Sequence, residues 1–373
     1  MYQVIKSNHL STKSILLILF SMLFISSCVE DDEADNSENS ANQAAFLNNS
    51  AVIISHDYEV AKKTANDLAS SIVNLKSDAD QNSFTESDLT ALKSKLKAAW
   101  KAWQNISLYD FGYAEQVGLR SNVNIYKTDT QTIENSIQTG NYNLEQLSFK
   151  TAKGFPAIDY LLNAKSVNET VNAFNTDSNR INYLVALAND LATRVETVEK
   201  AWTSNRSSFE SNTGTDVGSS TGMLVNALNL HYEKYFRDNK LGIPLGVRSA
   251  GIPRPDFCEA VYGGYSVELA NENFNAFKNF YSGITSDNND GYGLDDYLND
   301  ADAVELNNRI VAQISLIDLK LSALNDPLPQ QIQNNPQVVQ DAYNEIQKLI
   351  VLLKVDLPSR IGVLITYQDN DGD

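Results

Sequence analysis

Apolar residues recur at helical spacing along most of this chain. Between Thr85 and Ile106 they stand at positions 89, 92, 96, 100, 103 and 106, three or four residues apart. Residues at this spacing share one face of an α-helix, so the stretch predicts a helix with one buried stripe. Thr85 and Asp88 at its head resemble a capping box, with Asp in place of the usual Glu. Residues 181–202 repeat the pattern and no segment alternates apolar and polar residues for long, so the sequence predicts an all-α fold.

The predicted helices are numerous enough for more than one bundle. Further helices are expected over residues 51–76, 129–139, 155–163, 219–237, 257–281, 302–325 and 336–354. Long helices with short connections are typical of up-and-down four-helix bundles. The pentapeptide ANDLA occurs at residues 65–69 and again at 188–192, which suggests an internal duplication. We therefore expect two related four-helix bundle domains, residues 49–170 and 171–373, with a boundary in the polar segment 164–180.

Residues 1–27 have the features of a signal peptide that is removed from the mature protein. Lys6 and Lys13 give the region before the apolar run a positive charge. The apolar run Ser14–Ile25 is itself too short to span a bilayer comfortably. The residues ISSC at positions 25–28 resemble a bacterial lipobox, which implies cleavage before Cys28 and lipidation of that cysteine. A plain secretory signal is the alternative. Several acyl chains on Cys28 would anchor the protein stably in a membrane.

Residues 28–48 are acidic and polar and offer little to bury, so they predict a disordered tether. The run EDDE that closely follows Cys28 resembles a cue for surface display in Bacteroidetes-like lipoproteins. We therefore expect an outer-membrane lipoprotein of the cell envelope. The sequence leaves open whether it faces the periplasm or the cell surface.

Charge and composition exclude several classes of function. The formal net charge of −18 disfavours nucleic-acid binding, which depends on clustered Lys and Arg. Beyond the signal peptide only His56 and His231 remain, and Cys258 is the one cysteine besides Cys28, so no His/Cys zinc spacing is present. The string GSSTG at 218–222 matches a serine-hydrolase pattern, but it follows a polar loop. Ser220 is therefore expected in a helix cap.

The densest polar stretch is LHYEKYFRDNK, residues 230–240. On an α-helix His231, Lys234 and Asp238 would share one face, and Glu233 would pair with Arg237 four residues on. One interpretation is a solvated helix end with ordinary ion pairs. The other is that His231 and Glu233 line a pocket together with the Gly- and Pro-rich loop 237–257.

Four segments together resemble the imelysin-like family, also classified as peptidase family M75. They are AAWQNISLYDFGYAEQVGLRSNVNIYKTDTQTIE, KGFPAIDYLL, the stretch from KLGIPLGV to PDFCEAVYGGYSVELANENFNAFKNFYSG, and GYGLDDYL. The resemblance covers nearly all of the mature chain. It implies two related helical bundles with a site near their interface, on a protein of the bacterial envelope that is often linked to iron acquisition.

The segment KGFPAIDYLL resembles the family motif G-x-H-x-x-E but departs from it. By position, Gly154 matches the glycine, Pro156 replaces the histidine and Asp159 replaces the glutamate. A histidine can bind a metal or transfer a proton, whereas proline can do neither. Proline suits the first turn of a helix, and Asp159 could also be a charge that stabilises that helix end.

The leading hypothesis is a non-enzymatic lipoprotein that binds a ligand or partner in iron or haem uptake, beside a TonB-dependent receptor or another iron-uptake protein. Its ligand would contact residues of the motif and of the two polar segments, namely Gly154, Pro156, Asp159, Glu115, His231, Glu233 and Arg237. A metal-dependent peptidase is the first alternative, with Asp159, Glu115 and His231 as ligands or bases and a divalent metal or iron as cofactor. A structural adaptor on the outer membrane is the second.

Overall fold

A computed structural model describes residues 30–285 and 288–367, with side chains from residue 40 onward. The predicted signal peptide and Cys28 lie outside these residues. Among the described residues, no helix is long and apolar enough to cross a membrane. Residues 43–373 form one compact unit.

The described chain is all-α, as predicted. The α-helices are α1 (Glu30–Asp80), α2 (Glu86–Ile106), α3 (Tyr113–Gln116), α4 (Leu119–Val123), α5 (Thr130–Thr139), α6 (Gly154–Asn163), α7 (Val167–Thr176), α8 (Ser178–Ser211), α9 (Ser220–Leu230), α10 (Ile243–Leu245), α11 (Ser266–Tyr281), α12 (Leu294–Asp300), α13 (Val304–Leu321), α14 (Leu328–Asn334), α15 (Pro336–Val351) and α16 (Leu357–Ile361). Short 3-10 helices span Leu147–Phe149 and Pro255–Phe257, and π-helical segments span His231–Gly242 and Leu352–Asp356.

Helix α2 has the N-terminal cap and the buried apolar stripe that the sequence predicts. The side chain of Thr85 accepts a hydrogen bond from the Asp88 N–H, and the Asp88 carboxylate accepts one from the Thr85 N–H at 2.9 Å. This is the predicted capping box. The predicted apolar stripe is buried along its whole length. It packs between α6 and α11, so α2 lies against helices from both of the expected bundles. The division into two duplicated bundles stays a prediction.

The structure differs from the sequence-based expectation at two connections. Helix α1 begins at Glu30, within the segment predicted to be a disordered tether, and Phe46 and Leu47 are fully buried. Phe46 and Leu47 begin the buried apolar stripe of α1. The polar composition of residues 28–48 as a whole gave no indication of this stripe. The segment 164–180, predicted to be turn-rich, instead contains α7, because Ser166 and Glu169 form a capping box and Phe174 is buried.

A third difference lies before α11. The helix expected over residues 257–281 begins only at Ser266. Residues 258–265 form a loop in which Ala260 and Gly264 have positive φ, which an α-helix does not allow. This loop carries Glu259 and Tyr262 to the centre of the molecule, between α2 and α6.

Candidate functional site: a polar cavity beside the family motif

A group of charged side chains lines a cavity between α2 and the π-helical segment. This cavity, here called the polar cavity, has a volume of about 340 Å³, which is within the usual range of small-molecule sites. Its lining residues come from the chain between Trp103 and Tyr126 and from the π-helical segment; they include Gln104, Ser107, Asp110, Glu115, Arg120, Asn124, His231, Lys234, Tyr235, Asn239 and Lys240.

The π-helical geometry decides which side chains reach the polar cavity. Hydrogen bonds from residue i to i+5 widen the helical turn, and π-helical turns often occur at functional sites. The cavity is lined by His231, Tyr235 and Lys240, which are spaced by four and five residues. The predicted α-helical face would have included Asp238. That prediction was wrong, because Asp238 accepts hydrogen bonds from Arg237 and Arg248 away from the cavity lining.

Arg120 is a cation held by several partners in this cavity. Its Nε donates to Asp110 Oδ2 at 3.1 Å, and its Nη2 donates to the Ser107 carbonyl and to His231 Nδ1. The guanidinium also lies over the Tyr235 ring, 3.8 Å from the centroid. Nη1 makes no hydrogen bond with any described residue. Arg120 therefore has a fixed orientation and unused donors.

His231 is neutral, and its tautomer follows from its partners. Burial lowers the pKa of His231 well below its ordinary value, and the positive charges of Arg120 and Lys240 act in the same direction. Asn273 uses its amide nitrogen to donate to the Gln104 carbonyl, so its oxygen must accept the hydrogen bond from His231 Nε2 at 2.9 Å. Nδ1 then accepts from Arg120. His231 orients Arg120 and has no free nitrogen for a metal or a substrate proton.

Glu259 is the buried anion behind this cavity. Its carboxylate accepts hydrogen bonds from Trp100, Gln104 and Asn124 at 3.2, 3.1 and 2.8 Å and forms an ion pair with Lys240. Burial lowers the pKa of Lys240, and the charge of Glu259 opposes that effect. Because the carboxylate is fully paired, Lys240 and Gln104 are held in place at the cavity wall.

Gly154, Pro156 and Asp159 lie near one another but not in the polar cavity. Gly154 has φ of +72°, and a Cβ there would lie 2.1 Å from the Val123 carbonyl oxygen, so this glycine allows α6 to pack closely. Pro156 and Asp159 line a separate recess, here called the Asp159 recess, of about 10 Å³. That volume holds about one water molecule. Tyr126 lines both spaces.

The carboxyl of Asp159 is buried and forms no ion pair with any residue that the structure describes. Burial raises its pKa to about 7, although hydrogen bonds from Asn163 and from the Gly263 and Tyr262 N–H groups and the charge of Lys93 oppose the change. Asn163 donates at 2.9 Å and the Tyr262 N–H at 3.1 Å. Both oxygens are thus occupied within the protein.

These residues do not fit the metal that a peptidase of this class implies. Pro156 supplies no ligand atom, and both oxygens of Asp159 accept protein hydrogen bonds. Burial raises the pKa of the nearby Cys258 thiol, which disfavours the thiolate that a metal requires. Within residues 40–285 and 288–367, no three His, Cys, Asp or Glu side chains are close enough to hold a metal ion.

The remaining predicted residues divide between two places. Glu115 lines the polar cavity with an exposed side chain, as does Lys234. Glu233 does not line that cavity: it accepts a hydrogen bond from Tyr367 at 2.8 Å and pairs with Lys354 at 3.2 Å. Arg237 lies 3.8 Å from Glu233, as the spacing predicts, and donates to Gln347 at 2.6 Å. The expectation of a pocket shared by His231 and Glu233 was therefore wrong.

The family identification rests on a match along most of the chain. A family model for imelysin, peptidase family M75, matches residues 54–353, and the chain belongs to this family. An imelysin-like protein from Psychrobacter arcticum 273-4 has a similar structure, with a TM-score of 0.71 at 17% identity over 88% of this chain and 98% of that chain. A putative iron-regulated protein A precursor from Parabacteroides distasonis ATCC 8503 gives a TM-score of 0.68 at 15% identity, over 91% of this chain and 97% of that chain. No curated protein matches the chain.

Proposed function

We propose that this imelysin-family chain is a non-enzymatic binding protein of the cell envelope that takes part in iron acquisition. Its ligand occupies the polar cavity, and the lipidated Cys28 holds the protein at the outer membrane. The unused Nη1 donors of the fixed Arg120 carry the proposal. The link to iron is supported by one structural neighbour, the putative iron-regulated protein A precursor from Parabacteroides distasonis.

The cavity favours a small, oxygen-rich anionic ligand. Arg120 and Lys240 supply cationic donors at the wall, and Lys234 supplies an exposed ammonium at the rim. A guanidinium that is already oriented binds a carboxylate with little loss of conformational entropy. Asp110 pairs with Arg120 and Glu259 pairs with Lys240, so the ligand is recognised by hydrogen bonds from oriented donors rather than by a large net positive charge.

Binding fits the chemistry of these groups better than peptide hydrolysis. His231 is neutral and uses both ring nitrogens, so it is not poised to accept a proton. Asp159 is enclosed with room for about one water molecule. The geometry thus gives no specific support to the peptidase alternative.

Calorimetric titration with citrate and with ferric citrate tests the ligand class, because citrate is a small carboxylate that chelates iron. Arg120→Lys keeps the charge but removes the fork of donors, and we expect it to weaken binding by about tenfold or more. Lys63→Ala, which removes an exposed lysine that does not line the cavity, is the matched control and leaves the affinity unchanged. Equal affinities for the two variants, or no binding of either ligand, would contradict the proposed site.

The role in iron acquisition has a separate test. We expect the transcript of this protein to rise when cells grow under iron limitation. We also expect crosslinked outer membranes to yield a TonB-dependent receptor or another uptake protein with the tagged chain. Unchanged expression together with the absence of any transport component would refute this role without affecting the citrate result.

A further inference from the structure

A second cavity lies on the other side of the segment 107–126 in the described structure. This space, here called the aromatic cavity, has a volume of about 360 Å³. Its walls share no residue with the polar cavity. Five aromatic side chains in mutual contact form much of the wall, namely Tyr58, Tyr109, Phe111, Trp202 and Phe209.

The rings of the aromatic cavity are held in a fixed arrangement. Trp202 contacts Phe209 edge to face at a centroid distance of 5.1 Å, and Phe111 stacks on Phe209 at 5.9 Å. The indole N–H of Trp202 donates to Ser55 Oγ at 2.9 Å, and the Tyr109 hydroxyl donates to Asp57 at 2.8 Å. Because these polar atoms are already paired, the two rings offer apolar surface to a ligand.

The wall of the aromatic cavity carries no charge. None of its lining residues is Asp, Glu, Lys, Arg or His. Transfer of a charged ligand into such a site would lose hydration without an ion-pair partner. The cavity therefore selects an uncharged molecule, in contrast to the polar cavity.

One polar atom of the wall is both fully buried and without a partner among the described residues. Ser220 lines the cavity at the start of α9 and is fully buried, and its Oγ makes no hydrogen bond with any described residue. Its N–H is used, since it donates to the Asn212 carbonyl at 3.0 Å. Ser219, not Ser220, caps the helix by accepting from the Gly222 N–H at 3.0 Å. Buried hydroxyls normally have partners, so the Ser220 hydroxyl is available to a bound molecule.

We propose that the aromatic cavity binds an uncharged, ring-containing small molecule with one hydroxyl or carbonyl group, which pairs with the Ser220 hydroxyl. The ring packs against Trp202 and Phe209. The volume of about 360 Å³ limits the ligand to a molecule of one or two fused rings. This site is independent of the ligand and of the role proposed for the polar cavity.

Fluorescence and calorimetric titration of the full chain with 2-naphthol tests the proposal, because this probe has two rings and one hydroxyl. Naphthalene lacks the hydrogen-bonding group, and 2-naphthoate carries a charge. We expect 2-naphthol to bind and to change Trp202 fluorescence, naphthalene to bind about five- to tenfold more weakly, and 2-naphthoate at least tenfold more weakly.

Ser220→Ala removes the unpaired hydroxyl and is expected to fold normally, because it loses no protein hydrogen bond. It should bind 2-naphthol and naphthalene with similar affinity. Thr221→Val is the matched control, since Thr221 also has a buried, unpaired hydroxyl but does not line the cavity. It should keep the preference for 2-naphthol. No binding of 2-naphthol, an unchanged preference in Ser220→Ala, or equal binding of 2-naphthoate would each overturn the proposal.

Discussion

Two buried acids, Asp159 and Glu259, differ in whether a cation pairs with the carboxylate among the described residues. Each is only 1% exposed. Glu259 forms an ion pair with Lys240 and accepts hydrogen bonds from three further side chains, Trp100, Gln104 and Asn124. Asp159 accepts hydrogen bonds from Asn163 and from backbone N–H groups, and burial raises its pKa to about 7. A buried acid with a cation supports a charged site, whereas one without a cation favours its neutral form.

The surroundings of the two acids favour the polar cavity over the motif segment as the proposed binding site. The acid that the motif identifies occupies an enclosed recess with room for about one water molecule. The acid outside the motif holds the wall of a cavity of about 340 Å³. Trp100 connects the two regions, because its ring stacks on Phe155 of the motif segment and its N–H donates to Glu259. The motif segment thus supports the polar cavity structurally.

Removing the charge of Glu259 should have the largest effect. Glu259→Gln leaves the buried Lys240 ammonium without its anion, and we expect the free energy of unfolding to fall by about 3 to 5 kcal/mol. Chemical denaturation at neutral pH measures the loss. The same variant should also abolish citrate binding, because Lys240 and Gln104 would no longer be held at the cavity wall.

The exposed pair Lys127–Asp256 provides the control for this prediction. Their nitrogen and oxygen lie 2.7 Å apart, but the side chains are 53% and 43% exposed. Asp256→Asn is therefore expected to cost less than about 1 kcal/mol. If Glu259→Gln were no more destabilising than Asp256→Asn, the contrast between a charged and a neutral buried acid would fail.

The sequence predicted the helices well because they depend on local periodicity. The stripe of α2 and the capping box of Thr85 and Asp88 needed only residues within one helix. The polar cavity depends instead on contacts such as Gln104 to Glu259 and Arg120 to His231, which are 155 and 111 residues apart. No pattern within one segment reports such distances.

Some of the missed residues carried a weaker signal in the sequence. Glu259 stands in PDFCEAVYGG, within one of the segments that resemble the family, but the sequence predicted a continuous helix over residues 257–281 and assigned no role to this residue. The loop before α11 buries it instead. Arg120 lies in the short helix α4 between α2 and α5, and a lone arginine in the sequence gives no indication of its partners. The π-helical segment places Lys240 in the lining of the polar cavity and Asp238 outside it. We know of no sequence pattern that predicts such a segment.

The neutral state of Asp159 predicts a pH dependence of stability with a definite sign. Its pKa is raised from 3.8 to about 7, so between these values the unfolded chain loses a proton that the folded chain keeps. The contribution of Asp159 to the free energy of unfolding therefore falls as pH rises from about 4 to about 7, and is constant above that. Asp159→Asn cannot lose a proton here. Between pH 4 and pH 8 its free energy of unfolding should therefore rise by about 2 to 4 kcal/mol relative to that of the natural chain.

Denaturation curves at several pH values measure this difference directly. Burial also raises the pKa of Asp57 to about 7, so Asp57→Asn is a second variant that should remove its own part of the slope. Asp177→Asn, at the half-buried N-terminal cap of α8, is the control variant and should leave the slope due to Asp159 in place. Parallel curves for Asp159→Asn and the natural chain would mean that burial does not raise the pKa of Asp159.

The smallest expected effect concerns His231, whose pKa is lowered by burial and, in addition, by the positive charges of Arg120 and Lys240. Arg120→Met removes one of these cations, so the pKa of His231 should rise toward its ordinary value. Nuclear magnetic resonance of the imidazole ring follows this titration. Lys234→Met removes an exposed charge at the rim of the same cavity and should leave the titration unchanged. An unchanged His231 titration in Arg120→Met would show that burial alone, as at Asp159, keeps the ring neutral.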